Sequence, residues 1–172
     1  SISGLVMVSA LGGLVTPTAP AVPADPQVMQ DMARYYTLRQ SVSLADQIAA
    51  VDILAPLLYK RTINGPSAEW QDRARLLGLM VPPYAQPSLR KHPSDNRLLL
   101  PQLSASPLLI VHGTSDFAVN PADIAALQAY LPQARVLTVD PGGHSPFAEQ
   151  PEILNAALAA FVDENWRRPD DK

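Results

Sequence analysis

In the stretch PGGHSPFAEQPE (141–152), His144 follows an alternating apolar segment and precedes an amphipathic one. Two glycines and a proline hold it in a loop between a strand and a helix. A neutral imidazole in such a place can take a proton from a nucleophile and later hand it to a leaving group. That task needs a carboxylate to fix the ring's tautomer and to stabilise the imidazolium that forms. Asp116, in HGTSD (112–116), stands directly after a second apolar run and is the preferred acid. Asp140 lies only four residues before the histidine, but in DPGG it has the setting of a turn organiser.

The elements that must position these groups are legible as alternations of strand and helix. PLLIVHG (107–113) reads as a buried strand, ARVLTVD (134–140) as an alternating one, and GLVMVS (4–9) as a strand covered on both faces. Asn120 with Pro121 opens a helix carrying Ile124, Leu127 and Leu131. PEILNAALAAFVDENW (151–166) places Ile153, Leu154, Ala157, Leu158, Phe161 and Val162 on one face. Strand, helix, strand, helix predicts an α/β fold with a parallel sheet. Parallel neighbours run the same way, so the loops bearing Asp116 and His144 emerge at one edge, roughly 5 Å apart per strand spacing.

Between the first strand and the rest lies a different kind of sequence. Pro17, Pro20, Pro23 and Pro26 recur every three residues, which favours an extended connector. Asp25 is placed as the N-cap of a helix that begins at Pro26. A second helix carries Leu44, Ile48, Val51, Leu54 and Leu58, and a third, opened by NGPSAEW, runs through Trp70 to Leu77. Residues 1–16 and 101–172 are therefore expected to form the core and residues 17–100 a mostly helical insertion. Tyr35, Tyr36, Trp70 and Tyr84 read as core aromatics of that insertion, with substrate contact as the alternative.

Composition narrows the function. The chain has 172 residues, 47% apolar and 17% charged, enough for one globular domain. A net charge of -3 with scattered lysines and arginines argues against a nucleic-acid partner. There is no cysteine, hence no thiol nucleophile, and the three histidines show no metal-ligand spacing, so no metal and no cofactor is expected. The GLVMVSALGGLV run has the look of a secretory signal, but no basic residue precedes it, and the strand reading is preferred. No run is long enough to span a membrane. The expectation is a cytoplasmic protein, with secretion left open.

The stretch from Ser106 to Val162, with its HGTSD and GGHSPF turns, resembles the C-terminal end of an α/β-hydrolase, and the likeness extends over residues 104–163. ISGLVMVSA resembles the strand that follows the family's nucleophile-bearing helix, and residues 17–100 take the place of its helical cap. The resemblance implies that Asp116 is the acid and His144 the general base of a Ser-His-Asp type triad hydrolysing an ester-like acyl bond, with Val119 and Ser145 as candidate substrate contacts. His112 is expected to be structural. Ser115 and Ser145 lack the glycine-bracketed turn of a reactive serine.

One part of the family pattern is missing. The family carries its nucleophile as a serine in G-x-S-x-G or, in some branches, as an aspartate, and none of the eight glycines starts such an elbow. The expectation is a chain that is one piece of a two-chain or processed enzyme, or a truncated product, whose partner polypeptide brings the elbow and docks against an exposed sheet edge. Two other classes stay in view. Ser1 has the place of an N-terminal nucleophile amidohydrolase's serine, and hydrolase folds also serve as non-catalytic binding modules.

Overall fold

The computed structural model describes residues 4–14, 26–58, 69, 72, 73, 75, 76 and 95–166. Three strands, β1 (Leu5–Val8), β2 (Leu108–Gly113) and β3 (Arg135–Val139), form a parallel sheet in the order β1-β2-β3. Leu5 stands opposite Leu108 in one pair, and Gly113 opposite Val139 in the other. Every residue of β2 is buried, because this central strand is covered on both faces.

The helices are α1 (Pro26–Leu38), α2 (Leu44–Leu58), α3 (Leu100–Leu103), α4 (Pro121–Tyr130), α5 (Pro146–Glu149) and α6 (Pro151–Asn165). The alternation of side chains along the strands divides the core in two. Met7, Leu108 and Ile110 face Ile124, Leu127 and Leu131 of the α4 segment. Leu109, Val111 and Val139 face Leu154 and Phe161 of α6. Asn120 caps α4: its backbone is extended and its side chain accepts from the Asp123 amide at 2.8 Å, with Pro121 at the first helical position.

Two apolar faces differ from those expected. On α6 the buried stripe is Leu154, Ala157, Leu158 and Phe161, an i, i+3, i+4, i+7 set, while Ile153 and Val162 flank it and turn outward. On α2, Leu44 and Ile48 are exposed, and the inward face is Gln47, Ala50, Val51, Ala55 and Leu57. The turn between α1 and α2 sets this rotation. Gln47 Nε2 donates to the carbonyls of Leu38 (3.2 Å) and Ser41 (2.5 Å), and Arg39 Nη1 donates to Gln47 Oε1. Small side chains at Ala50 and Ala55 complete the face that the anchored Gln47 turns inward.

Tyr35 is buried and meets Tyr36 edge-on at 5.2 Å, whereas Tyr36 itself is exposed. The end of α2 reaches the sheet domain through Ala55, against which Leu58 and, from α5, Ala148 pack. The proline-rich connector, Asp25, Trp70, Tyr84 and most of the third expected helix lie outside the described residues; the described positions of that helix are helical, and Arg75 Nε bonds Asp52 Oδ1 of α2 at 2.6 Å.

The core makes a direct prediction. Leu127→Ala removes a fully buried side chain between α4 and the sheet and is expected to cost about 2–5 kcal/mol in denaturant unfolding. Leu98→Ala, at a position 90% exposed, is expected to change stability by about 0.5 kcal/mol or less.

Candidate active site

The two loops that leave the C-terminal ends of β2 and β3 meet. Thr114 N donates to the carbonyl of Val139 at 3.0 Å, and Ser115 N to that of Gly142 at 2.8 Å. A methyl group added at Gly113 would overlap the carbonyl groups of Gly142 and Gly143. Only glycine lets the second loop lie this close over the first.

Asp116 and His144 come together across that junction. His144 Nδ1 lies 2.9 Å from Oδ1 and 3.0 Å from Oδ2 of Asp116. A carboxylate accepts only, so Nδ1 carries the proton and Nε2 is left as the acceptor. The Asp116 side chain is fully buried, and its Oδ1 also accepts from the amides of Ala118 (2.8 Å) and Val119 (3.1 Å). The imidazole keeps 27% of its surface exposed, and Phe117 meets it edge-on at 5.3 Å between ring centres. The imidazole is thus held and oriented while part of it stays open to solvent.

The other residues that the sequence brings forward take different places. Val119 belongs to the core cluster, 5% exposed, and reaches the site through its amide. Ser145 is buried and begins α5, where its carbonyl accepts from the Ala148 and Glu149 amides. Asp140 accepts from the Thr114 hydroxyl at 2.6 Å, tying the two loops on their exposed side rather than touching the histidine. His112 is buried, with Nδ1 near the Gly113 carbonyl and Nε2 near Thr138 Oγ1, both at 3.2 Å, and burial pushes its pKa down. Tyr35 has its ring contact with Tyr36 in α1, whereas the ring beside His144 is that of Phe117. Ser1, Trp70 and Tyr84 fall outside the described residues.

Glu149 is a functional candidate that residue patterns did not disclose. This residue of α5 is buried, and its Oε2 accepts from the amide of Gly143, the residue before His144. The other oxygen, Oε1, has no hydrogen-bond partner. Burial raises its pKa, against the opposing pull of the Gly143 and Ser145 amides; Asp116 raises it further and His144 lowers it. A carboxylate five residues after the histidine, closing a one-turn helix begun by Pro146, is the only signal for it in the chain. Among the described residues, no cluster of three or more His, Cys, Asp or Glu could hold a metal ion, and no helix is long and apolar enough to cross a membrane.

The raised pKa fixes a pH dependence. The fold favours protonated Glu149, so the stability it contributes is present below the ordinary carboxyl value of 4.5 and is lost as pH rises through the folded value. Glu149→Gln keeps an acceptor for Gly143 without the charge. Its thermal midpoint, relative to the unaltered protein, is therefore expected to increase as pH is taken upward from 4.5. A gap that narrows with pH would contradict the assignment.

Known proteins share sequence and fold with this chain. The family model described as TAP-like protein, of the α/β-hydrolase class, matches residues 84–171, just over half of the chain. A pimeloyl-[acyl-carrier protein] methyl ester esterase from Xanthomonas oryzae is 41% identical over 69 residues, which span 40% of this chain and 27% of that enzyme. An esterase from Rhodococcus sp. superposes with a TM-score of 0.74 at 17% identity, over 95% of this chain and 56% of that one. An esterase from Exiguobacterium antarcticum gives 0.68 at 15% identity, over 94% of this chain and 57% of that one. The chain thus spans little more than half the length of these solved structures. Its sheet, its joined acid and histidine loops and the family match agree: the chain belongs to the TAP-like family of α/β-hydrolases.

Proposed function

We propose that this chain supplies the acid and the base of an ester hydrolase, and that a serine in a G-x-S-x-G turn on sequence outside these 172 residues supplies the nucleophile. The observation that carries the reading is the two-oxygen contact of buried Asp116 with His144 Nδ1, which leaves Nε2 to accept a proton. The esterases among its relatives favour a carboxylic ester as substrate.

The serine oxygen bonds to the ester carbonyl carbon while His144 Nε2 takes its proton. The tetrahedral adduct collapses, the alcohol leaves with the proton from Nε2, and the acyl group stays on serine. Water then attacks the acyl-enzyme as Nε2 takes a proton again, releasing the acid and returning the serine hydroxyl. Asp116 orients the ring throughout and stabilises its cationic form.

The sheet has room for such a partner. Among the described residues β1 is an edge strand: the amides of Leu5 and Ser9 point to β2, so by alternation the polar groups of Val6 and Val8 face the other side. Ser9, at the end of β1 that shares the catalytic edge, has a left-handed φ of 48° and a buried hydroxyl without a hydrogen-bond partner. A further parallel strand added along β1 would bring its C-terminal turn to this edge. We read the described helices of the insertion, α1 and α2, as part of a cap, a reading supported by the packing of Ala55 of α2 with Ala148 beside the histidine loop.

Assay of an activated ester tests the proposal. The isolated chain is expected to show no turnover, and restoration by a polypeptide carrying G-x-S-x-G to be undone by His144→Ala with a loss of about 10^4-fold or more. Ser1→Ala should leave the restored rate intact. Turnover by the isolated chain that depends on His144 would place the nucleophile within it, and a restored preparation indifferent to His144 would favour a binding module.

A further inference from the structure

Resting on the reading of His144 as the base, we infer that Glu149 is a positioning residue: its carboxylate, anchored in α5, grips the backbone next to His144 and thereby aims the imidazole at Asp116. The grip is the hydrogen bond from the Gly143 amide to Glu149 Oε2. Around it the packing leaves little slack. A Cβ at Gly143 would lie 2.6 Å from Glu149 Oε1, and one at Gly142 would lie 2.7 Å from the Val139 carbonyl. The loop is thus wedged between the end of β3 and the carboxylate.

The position of Glu149 is itself fixed from two sides. Its own amide and that of Ala148 donate to the Ser145 carbonyl, closing the turn that contains the histidine's successor. Ala148 packs against Ala55 of α2. Asp116 and His144 are the titratable groups that act on the carboxylate. A residue kept only for stability would not leave one carboxylate oxygen buried without a partner, since that arrangement costs free energy. The cost is understandable if the acceptor that Oε2 offers to the Gly143 amide is what holds the histidine loop in place.

The test reads the ring rather than turnover. In the protein as isolated, with any polypeptide that copurifies, the proton on His144 Nδ1 is expected to give a low-field NMR resonance. Glu149→Met keeps the bulk and removes the acceptor, and it is expected to broaden or abolish that resonance. Glu149→Gln keeps an acceptor and is expected to restore it. Gly143→Ala, which drives a methyl group against Oε1, should act as Glu149→Met does and serves if the methionine variant fails to fold. A resonance equally sharp in Glu149→Met and Gly143→Ala would overturn the inference while leaving the acid and base pair standing. Its absence from the unaltered protein would overturn the pair as well.

Discussion

The buried carboxylate of Asp116 governs the site. A charged group with no exposed side-chain surface persists only when its oxygens are occupied, and here the occupants come from two places. The amides of Ala118 and Val119 arrive from its own loop, and His144 arrives from a loop 28 residues later. Satisfying the carboxylate therefore requires both loops to be built correctly, and building them correctly delivers the imidazole. Structure and proposed chemistry share the same three donors.

The sheet makes this meeting easy to achieve. Parallel pairing of β2 with β3 ends at Gly113 opposite Val139, so both chains leave the sheet at the same level. Gly113 then removes the bulk that would keep the loops apart, and Gly142 lets the second loop fold back on Val139. Thr114 and Asp140 close the outer side with a hydroxyl to carboxylate bond. Beneath them α4 and α6 cover opposite faces of the sheet, and this two-sided burial keeps the strand ends from shifting under the site.

Much of this was legible from residue order. The apolar runs of 4–9 and 107–113, the alternation of 134–140, the Asn120-Pro121 helix start and the parallel connection together put Asp116 and His144 at one edge, since each signal acts locally and each agrees with the others. The face of α2 was not legible: counting large apolar residues chose Leu44 and Ile48, but the anchoring of Gln47 by turn carbonyls rotates them outward. Ile153 and Val162 misled similarly, being apolar residues at the margin of a stripe already filled by Leu154, Ala157, Leu158 and Phe161. Glu149 escaped because its importance lies in a backbone amide six residues earlier, and no side-chain pattern records such a contact.

Family membership and geometry lead to one central claim, that Asp116 and His144 work as a unit. A double-mutant cycle on ester hydrolysis by the assembled protein tests it most directly, with Asp116→Asn, His144→Ala and the two combined. Residues acting as a unit give strongly non-additive losses, so the combined variant should be no slower than His144→Ala alone. Losses that multiply would show that the two residues act independently and would contradict the account.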